Sequence, residues 1–348
     1  MPVANVCKLG TCPLEYGMVH YQPTLFGNVF YLGIFAALLI IHIMQLWRWK
    51  AWSFSCCMLI GLVLEIIGYL GRIQMHYDPF ASNPFLIYLI CVTIAPVFFT
   101  ASIYMTFSRI LLHYGPHLSS FSPKAISITF MTADWVALIL QAAGGAIADT
   151  AATKAGMNSG TNILVAGLSF QVIGLILFMM TVVEYAFKVS GERTRRKAAN
   201  WAAGEGEIGA SKRKMRYLCY GMSNFNLCFL IISIFQHLHR PEHPTYNSLI
   251  NPLQISALDW RLIARPDVLV GLTVATVLIL IRSIFRVAEL AKGFQSKLAN
   301  EEVPFMILEG AVMISATTIM TIFHPGLIIK GKWKESGWEL KGWKNERN

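Results

Sequence analysis

The sequence is poor in charge. Only 14% of its 348 residues are Asp, Glu, Lys or Arg, whereas 55% are hydrophobic. A water-soluble globule of this size needs more polar surface than that composition supplies, so the class of soluble globular proteins is excluded. Apolar segments of about 20 residues, each able to cross roughly 30 Å of hydrocarbon, account for the length instead. The composition therefore predicts one polytopic membrane domain.

The motifs of nucleotide hydrolysis and hydrolytic catalysis are also missing. Residues 204–209 match G-x-G-x-x-G in letters, but no predicted strand precedes them and two glutamates would face the pyrophosphate. No G-x-S-x-G occurs, and no serine, histidine and acid come together. His237, His239 and His243 lack nearby cysteines or paired carboxylates, which disfavours zinc. We therefore expect no enzymatic activity, no cofactor and no metal.

The N-terminal segment lacks the pattern of a signal peptide. Residues 1–24 contain Pro2, Pro13 and Pro23 and no apolar core, so we expect the first hydrophobic span to act as signal and anchor. The segment is interpreted as an exterior tail. In such a compartment Cys7 and Cys12 either form a short-loop disulfide or remain free thiols, and the spacing does not choose between them.

Seven segments are apolar enough to span a bilayer. They predict an all-α fold, a polytopic membrane protein with seven transmembrane helices in residues 25–326. The predicted spans are about 25–46, 53–71, 85–107, 125–148, 161–187, 267–284 and 303–323.

Residues 218–236 are an ambiguous eighth candidate, because they are apolar but carry Asn224 and Asn226. Seven spans with the N-terminus outside and the C-terminus inside place most Lys and Arg on the inner side, whereas an eighth span distributes them almost evenly. The positive-inside bias therefore favours seven spans. It also predicts an inner basic loop at 188–264 and a cytosolic basic tail at 327–348.

The predicted inner loop and the tail hold most of the net charge of +10. Their basic runs have little aromatic interleaving and belong to no recognisable nucleic-acid fold, so we expect no nucleic-acid partner. A topology signal that also contacts anionic lipid is the simpler interpretation.

Three acidic residues lie well inside predicted spans: Glu65 in the second, Asp134 in the fourth and Glu309 in the seventh. Charge is expensive in hydrocarbon, so an ionisable residue within a span is a candidate functional residue. Gln141 follows Asp134 by two turns and precedes Gly144, a residue that lets neighbouring helices approach. We predict that these polar groups face the bundle interior.

The sixth span continues directly into a charged stretch. Arg282, Arg286 and Glu289 lie at i, i+4 and i+7 and share one helix face, which the charge count places at the outer end of the span. Two compatible interpretations stay open. Either these groups pair with the buried acids and fix how the helices dock, or they belong to a polar lining wide enough for the headgroup of an amphiphile.

Several motifs occur in a defined order along these spans. They are Tyr21-x-Pro23, Glu65-x-x-Gly68-Tyr69-x-Gly71-Arg72, Ala95-Pro96, Gln141-Ala142-x-Gly144-Gly145, Arg282-Ser283-x-Phe285-Arg286-x-x-Glu289 and His324-Pro325-Gly326. Together they resemble the fungal family of seven-helix, lipid-translocating exporters, also called RTA-like, over about residues 21–326.

The resemblance implies an integral protein of the plasma membrane or an endomembrane that exports sphingoid bases or toxic amphiphiles and confers stress resistance. Its partners would be membrane lipids or amphiphilic small molecules. Because a nucleotide site is lacking, transport would be facilitated or ion-coupled. A heptahelical sensor or receptor-like protein is the alternative that seven spans with this polarity allow equally.

The sequence departs from the family pattern at three places. Glu309 stands where the family usually has Asp, which keeps the charge but changes its reach. Met306 replaces an expected tyrosine. Residues 218–264 resemble an atypical insertion between the basic stretch and the sixth span.

Overall fold

The computed structural model describes residues 13, 19, 21–114, 122–151, 153–202, 267–291 and 301–328. Most of these residues are helical and none of them lies in a strand, which confirms the predicted all-α class. Most of the predicted inner loop, the atypical insertion at 218–264 and the pair Cys7 and Cys12 lie outside the described residues.

Seven helices in the described part of the chain are long and apolar enough to cross a membrane, as the sequence predicts. The last of them, α7, is a continuous run of three parts, and a short α8 follows it. The helices are α1 (Leu25–Trp49), α2 (Trp52–Tyr77), α3 (Ser82–Tyr114), α4 (Pro123–Thr150), α5 (Lys154–Ala202), α6 (Asp267–Leu290), α7 (Glu302–Phe305, Met306–Ala311 and Val312–Ile322) and α8 (Pro325–Ile328).

Local sequence explains where the helices stop and start. Lys50 ends α1 in the left-handed conformation, with φ of 51°, and its N–H donates to the Leu46 carbonyl oxygen at 2.9 Å. Pro123 opens α4, where its missing N–H costs no helical hydrogen bond. The short connections at residues 50–51, 78–81 and 151–153 make the helices that they join antiparallel neighbours.

The bundle has two ends, which we name after residues that close them. At the Tyr21 end, Gln22 donates to the His76 carbonyl oxygen at 2.9 Å, and Val19 packs beside Met75 and Phe305. This contact ties the segment before α1 to the end of α2 and the start of α7.

At the opposite, His324 end, the His324 ring lies 5.0 Å from the Trp49 ring and 4.9 Å from the Phe54 ring, measured between centroids. Trp47 and Trp52 are exposed at this end, and tryptophan is enriched where membrane helices meet the lipid–water interface.

Helices α4 and α5 cross through small residues. A Cβ atom on Gly144 would collide with the backbone of Leu164, and one on Gly160 would collide with the backbone of Ala148. Such glycines let two helix backbones approach more closely than any larger residue permits. The crossing holds the pair together in an environment where lipid gives no hydrophobic drive for association.

The crossing yields a matched pair of variants. Gly144→Ala places a methyl group against the Leu164 backbone, which cannot move as a side chain can, so we expect it to lower the free energy of unfolding by about 1–3 kcal/mol. Gly145→Ala is the control, because its Cβ would meet only the Leu164 Cδ1 atom at an ordinary 3.7 Å. Unfolding of both variants in one detergent measures the difference between their free energies of unfolding. Equal losses of stability in Gly144→Ala and Gly145→Ala would contradict this packing.

Candidate functional site

The seventh helix changes its winding where it passes the buried acid. Residues Met306–Ala311 form a six-residue π-helical segment within α7, and Glu309 lies on it, 1% exposed. The Tyr31 hydroxyl on α1 donates to the Met306 carbonyl oxygen at 2.9 Å. π-helical segments inside α-helices occur frequently at functional sites.

Glycine at position 310 makes room for the aromatic wall of the site. A Cβ atom there would collide with the Tyr31 ring and lie 2.7 Å from the Tyr69 hydroxyl oxygen. The Tyr31 and Tyr69 rings meet edge to face with centroids 5.7 Å apart. Gly310 therefore lets two tyrosines from α1 and α2 pack against the turn that carries Glu309.

Helix α6 presents its charged face to the bundle interior. Arg282, Arg286 and Glu289 are 3%, 1% and 5% exposed. These charges meet buried acidic partners. Glu65 on α2 is equally buried and interacts electrostatically with Arg282.

These residues form an ionic cluster, defined as Glu65, Arg282, Arg286, Glu289 and Glu309. The Nη2 atom of Arg282 donates both to Glu309 Oε1 and to the Val92 carbonyl oxygen of α3, the latter at 2.6 Å. The cluster therefore joins α6 and α7 by an ion pair and α6 to α3 through the main chain.

Arg286 makes a second set of bonds within the cluster. Its Nη1 donates to Glu289 Oε2 at 2.7 Å, and its Nη2 donates to the Thr93 hydroxyl oxygen at 3.1 Å. Its Nε lies 3.8 Å from Glu309 Oε1, an ion pair without a hydrogen bond. Both arginines thus converge on the same carboxylate oxygen of Glu309.

The ionic cluster is unbalanced in charge and in hydrogen bonds. It contains three carboxyl groups and two guanidinium groups. Three buried oxygens, Glu65 Oε1, Glu309 Oε2 and Tyr69 Oη, have no hydrogen-bond partner within the described part of the chain, and neither do two buried donors, Arg282 Nε and Arg286 Nε. Buried polar atoms are costly to leave unsatisfied. Because the carboxyl groups outnumber the guanidinium groups by one, the arrangement is suited to receive a donor that carries one positive charge.

An arginine that the site prediction omitted covers the cluster toward the Tyr21 end. Arg72 is 1% exposed and its guanidinium carbon lies 3.9 Å from the centroid of the Phe305 ring. It donates to Asn28 Oδ1 at 3.0 Å and to the Tyr21 hydroxyl oxygen at 3.1 Å. The sequence carries a signal for this role, because Arg72 follows Glu65 by seven residues and so lies two turns further along the same face of α2.

The start of α7 is fastened to the start of α1 beside Arg72. Glu302 accepts hydrogen bonds from the Thr24 N–H and hydroxyl, each at 2.6 Å, and lies 3.9 Å from Arg72. Because Tyr21 and Thr24 both precede α1, the segment before the first span forms part of the cover over the ionic cluster.

Two predicted site residues lie in other places. Asp134 Oδ2 accepts hydrogen bonds from the Thr100 hydroxyl at 2.8 Å and the Tyr104 hydroxyl at 3.1 Å, between α3 and α4. Gln141 donates through Nε2 to Gln171 Oε1 at 3.0 Å, between α4 and α5. No hydrogen bond or ion pair in the described ranges joins either residue to the ionic cluster.

The seven predicted site residues therefore fall into three groups. Five form the ionic cluster, whereas Asp134 and Gln141 belong to separate polar contacts. The hydrogen-bond partners Thr93, Thr100 and Tyr104 are ordinary helix residues by sequence, and only the packing of α3 against its neighbours assigns them to these sites.

Fold and site together define an integral membrane protein of seven helices with charged groups buried in its interior. A family model described as "RTA1 like protein" matches residues 58–242 and 257–332. These ranges include more than half of the chain, and the chain belongs to this RTA1-like family. The unmatched residues 243–256 lie within the predicted insertion.

Several curated yeast proteins are similar to the chain. The sphingoid long-chain base transporter RSB1 of Saccharomyces cerevisiae is 29% identical over 318 residues, which cover 91% of this chain and 74% of that protein. Protein RTM1 is 32% identical over 37% of the chain and 41% of its own length. Protein RTA1 is 30% identical over 135 residues, which cover 38% of this chain and 42% of that protein. No solved structure matches the chain.

The buried ion pair can be tested through stability. Arg282→Met leaves the Glu309 carboxylate without its shortest ion pair, so we expect a loss of about 3–5 kcal/mol in the free energy of unfolding. Adding Glu309→Leu removes the stranded charge, so the double variant should be more stable than Arg282→Met alone. Unfolding in one detergent, followed by helical circular dichroism, measures both.

The control for this test is a partly exposed lysine–glutamate ion pair within one helix. Lys188 and Glu184 on α5 lie 2.6 Å apart and are about one third exposed. Lys188→Met should therefore lower the free energy of unfolding by less than about 1 kcal/mol. Equal losses for Lys188→Met and Arg282→Met would show that the Arg282–Glu309 pair does not stabilise the bundle.

Proposed function

We propose that this chain is a membrane transporter that moves lipid-like amphiphiles with a cationic headgroup, of the sphingoid-base class, across the bilayer. The observation that carries the proposal is the excess carboxyl group of the ionic cluster, buried in the interior of a seven-helix bundle. Similarity to a protein named as a sphingoid long-chain base transporter supports the same substrate class.

The ionic cluster offers the groups that an ammonium needs. An ammonium donates three hydrogen bonds, and Glu65 Oε1, Glu309 Oε2 and Tyr69 Oη are three oxygens with acceptor capacity and no hydrogen-bond partner among the described residues. Tyr69 interacts electrostatically with both glutamates, which places the three groups in one region. The cluster has three carboxyl groups and only two guanidinium groups. The amine would supply the third positive charge.

The two arginines have a positioning role in this proposal. Arg282 and Arg286 both contact Oε1 of Glu309, and Oε2 has no hydrogen-bond partner within the described residues, so we propose that Oε2 accepts from the amine. Asp134 and Gln141 are proposed as further polar lining on α4, passed by the headgroup at another stage. Arg72 and the segment before α1 would close the Tyr21 end.

The energy source in this proposal is not ATP. The motifs of a nucleotide site are lacking, so movement is facilitated or coupled to an ion. We propose that the N-terminus is outside and that the basic inner loop contacts anionic lipid on the inner leaflet. This orientation directs the Tyr21 end to the exterior.

Liposomes that contain the purified chain and a fluorescent long-chain base test the proposal. We expect Glu65→Gln to slow transfer of the base between leaflets by about tenfold or more, since a charge-assisted hydrogen bond is worth about 1.5–3 kcal/mol. Glu184→Gln, the same change on a partly exposed carboxyl group of α5 outside the ionic cluster, should leave the rate unchanged.

Three outcomes would contradict the proposal. If liposomes that contain the wild-type chain transfer the base no faster than empty liposomes, the sensor or receptor-like alternative is favoured. Equal slowing by Glu65→Gln and Glu184→Gln would show that the base does not pass the ionic cluster. Equally fast transfer of a long-chain alcohol that lacks the amine would overturn the choice of a cationic substrate.

A further inference from the structure

The interior of α3 contains a proline close to the ionic cluster. Pro96 is buried, and α3 continues on both sides of it. Proline has no N–H, so residue 96 cannot donate the helical hydrogen bond that the carbonyl oxygen four residues earlier would receive. That carbonyl belongs to Val92, which is 0% exposed. The proline therefore leaves a buried main-chain acceptor without its regular helical donor.

Arg282 supplies the missing donor from another helix. Its Nη2 donates to the Val92 carbonyl oxygen at 2.6 Å, although 190 residues separate the two along the chain. A proline is tolerated inside a membrane helix where a neighbouring helix satisfies the freed backbone group, and α6 does so here. The proline and the arginine are therefore two parts of one contact between α3 and α6.

This contact determines where the Arg282 guanidinium lies relative to Glu309. The same Nη2 atom donates to the Val92 carbonyl oxygen and to Glu309 Oε1. Helix α2 packs against the Val92 turn from another side, because a Cβ atom on Gly68 would lie 2.4 Å from Val92 Cγ2. Hydrogen bonds from a charged donor are stronger than neutral ones, so this carbonyl oxygen is a firm anchor for the guanidinium.

Pro96 also separates two acidic sites along α3. Before it, Val92 accepts from Arg282 of the ionic cluster. After it, the Thr100 hydroxyl donates to Asp134 Oδ2 at 2.8 Å. Val92 and Thr100 are eight residues apart, about 12 Å along a helix axis. Helices bend most readily at proline, so a bend of α3 at this position moves one acidic site relative to the other.

We propose that Pro96 is a positioning residue of the ionic cluster. By lacking an N–H it leaves the Val92 carbonyl oxygen to Arg282, which holds the guanidinium against Glu309. The same bond sets the bend of α3 between the cluster and Asp134. The positioning role depends only on these contacts, whereas its effect on a headgroup that moves between the two acidic sites rests on the proposed transport function.

A double-mutant cycle on unfolding of the full chain in one detergent tests the positioning role. Pro96→Ala restores an N–H that can donate to the Val92 carbonyl oxygen. In the wild-type background this N–H competes with Arg282, whereas in the Arg282→Met background it meets a buried acceptor that has lost its donor. We therefore expect Pro96→Ala to lower the unfolding equilibrium constant about tenfold more in Arg282→Met than in the wild type.

Pro84→Ala is the matched control for this cycle. Pro84 is the third residue of α3, in the first turn, where an N–H has no helical acceptor. Its replacement should change both backgrounds equally. Equal effects of Pro96→Ala in both backgrounds would overturn the positioning role. If Arg282→Met does not fold, Arg282→Met combined with Glu309→Leu replaces it as the second background, because Val92 lacks its arginine there too.

Transfer of the fluorescent long-chain base in liposomes tests the consequence for transport. We expect Pro96→Ala to slow transfer about tenfold without loss of stability, and Pro84→Ala to leave the rate unchanged. A wild-type rate in Pro96→Ala would overturn the part of the proposal that concerns the bend of α3. If the wild-type chain transfers no base, the proposed transport function fails, and the unfolding cycle still decides the positioning role.

Discussion

The structure depends on one constraint: charge inside hydrocarbon must be compensated within the protein. Arg282 meets it with the Glu309 carboxylate and the Val92 carbonyl oxygen, so one side chain of α6 fixes the positions of α7 and α3. Lipid provides no hydrophobic drive to bring helices together. Polar contacts and close packing therefore determine how the helices are arranged in the bundle. The pairing of these buried groups therefore decides which helices are neighbours.

The same constraint explains the irregular winding of α7. Glu309 has to reach two arginines on α6, and the π-helical segment Met306–Ala311 changes the register of the helix where that carboxylate is required. Gly310 then admits the rings of Tyr31 and Tyr69. A distorted helix, a glycine and an aromatic pair thus lie together around one buried ion pair.

The sequence alone determined the all-α class, the seven apolar helices and the family, because apolar length and charge patterns are local properties of the chain. It also predicted that Glu65, Arg282 and Glu309 would be special, since each is an ionisable residue in a hydrophobic run. Only the tertiary structure decided that these meet in one cluster whereas Asp134 binds Thr100 and Tyr104. Which polar groups pair depends on helix rotation and neighbour choice, and those follow from packing among distant segments.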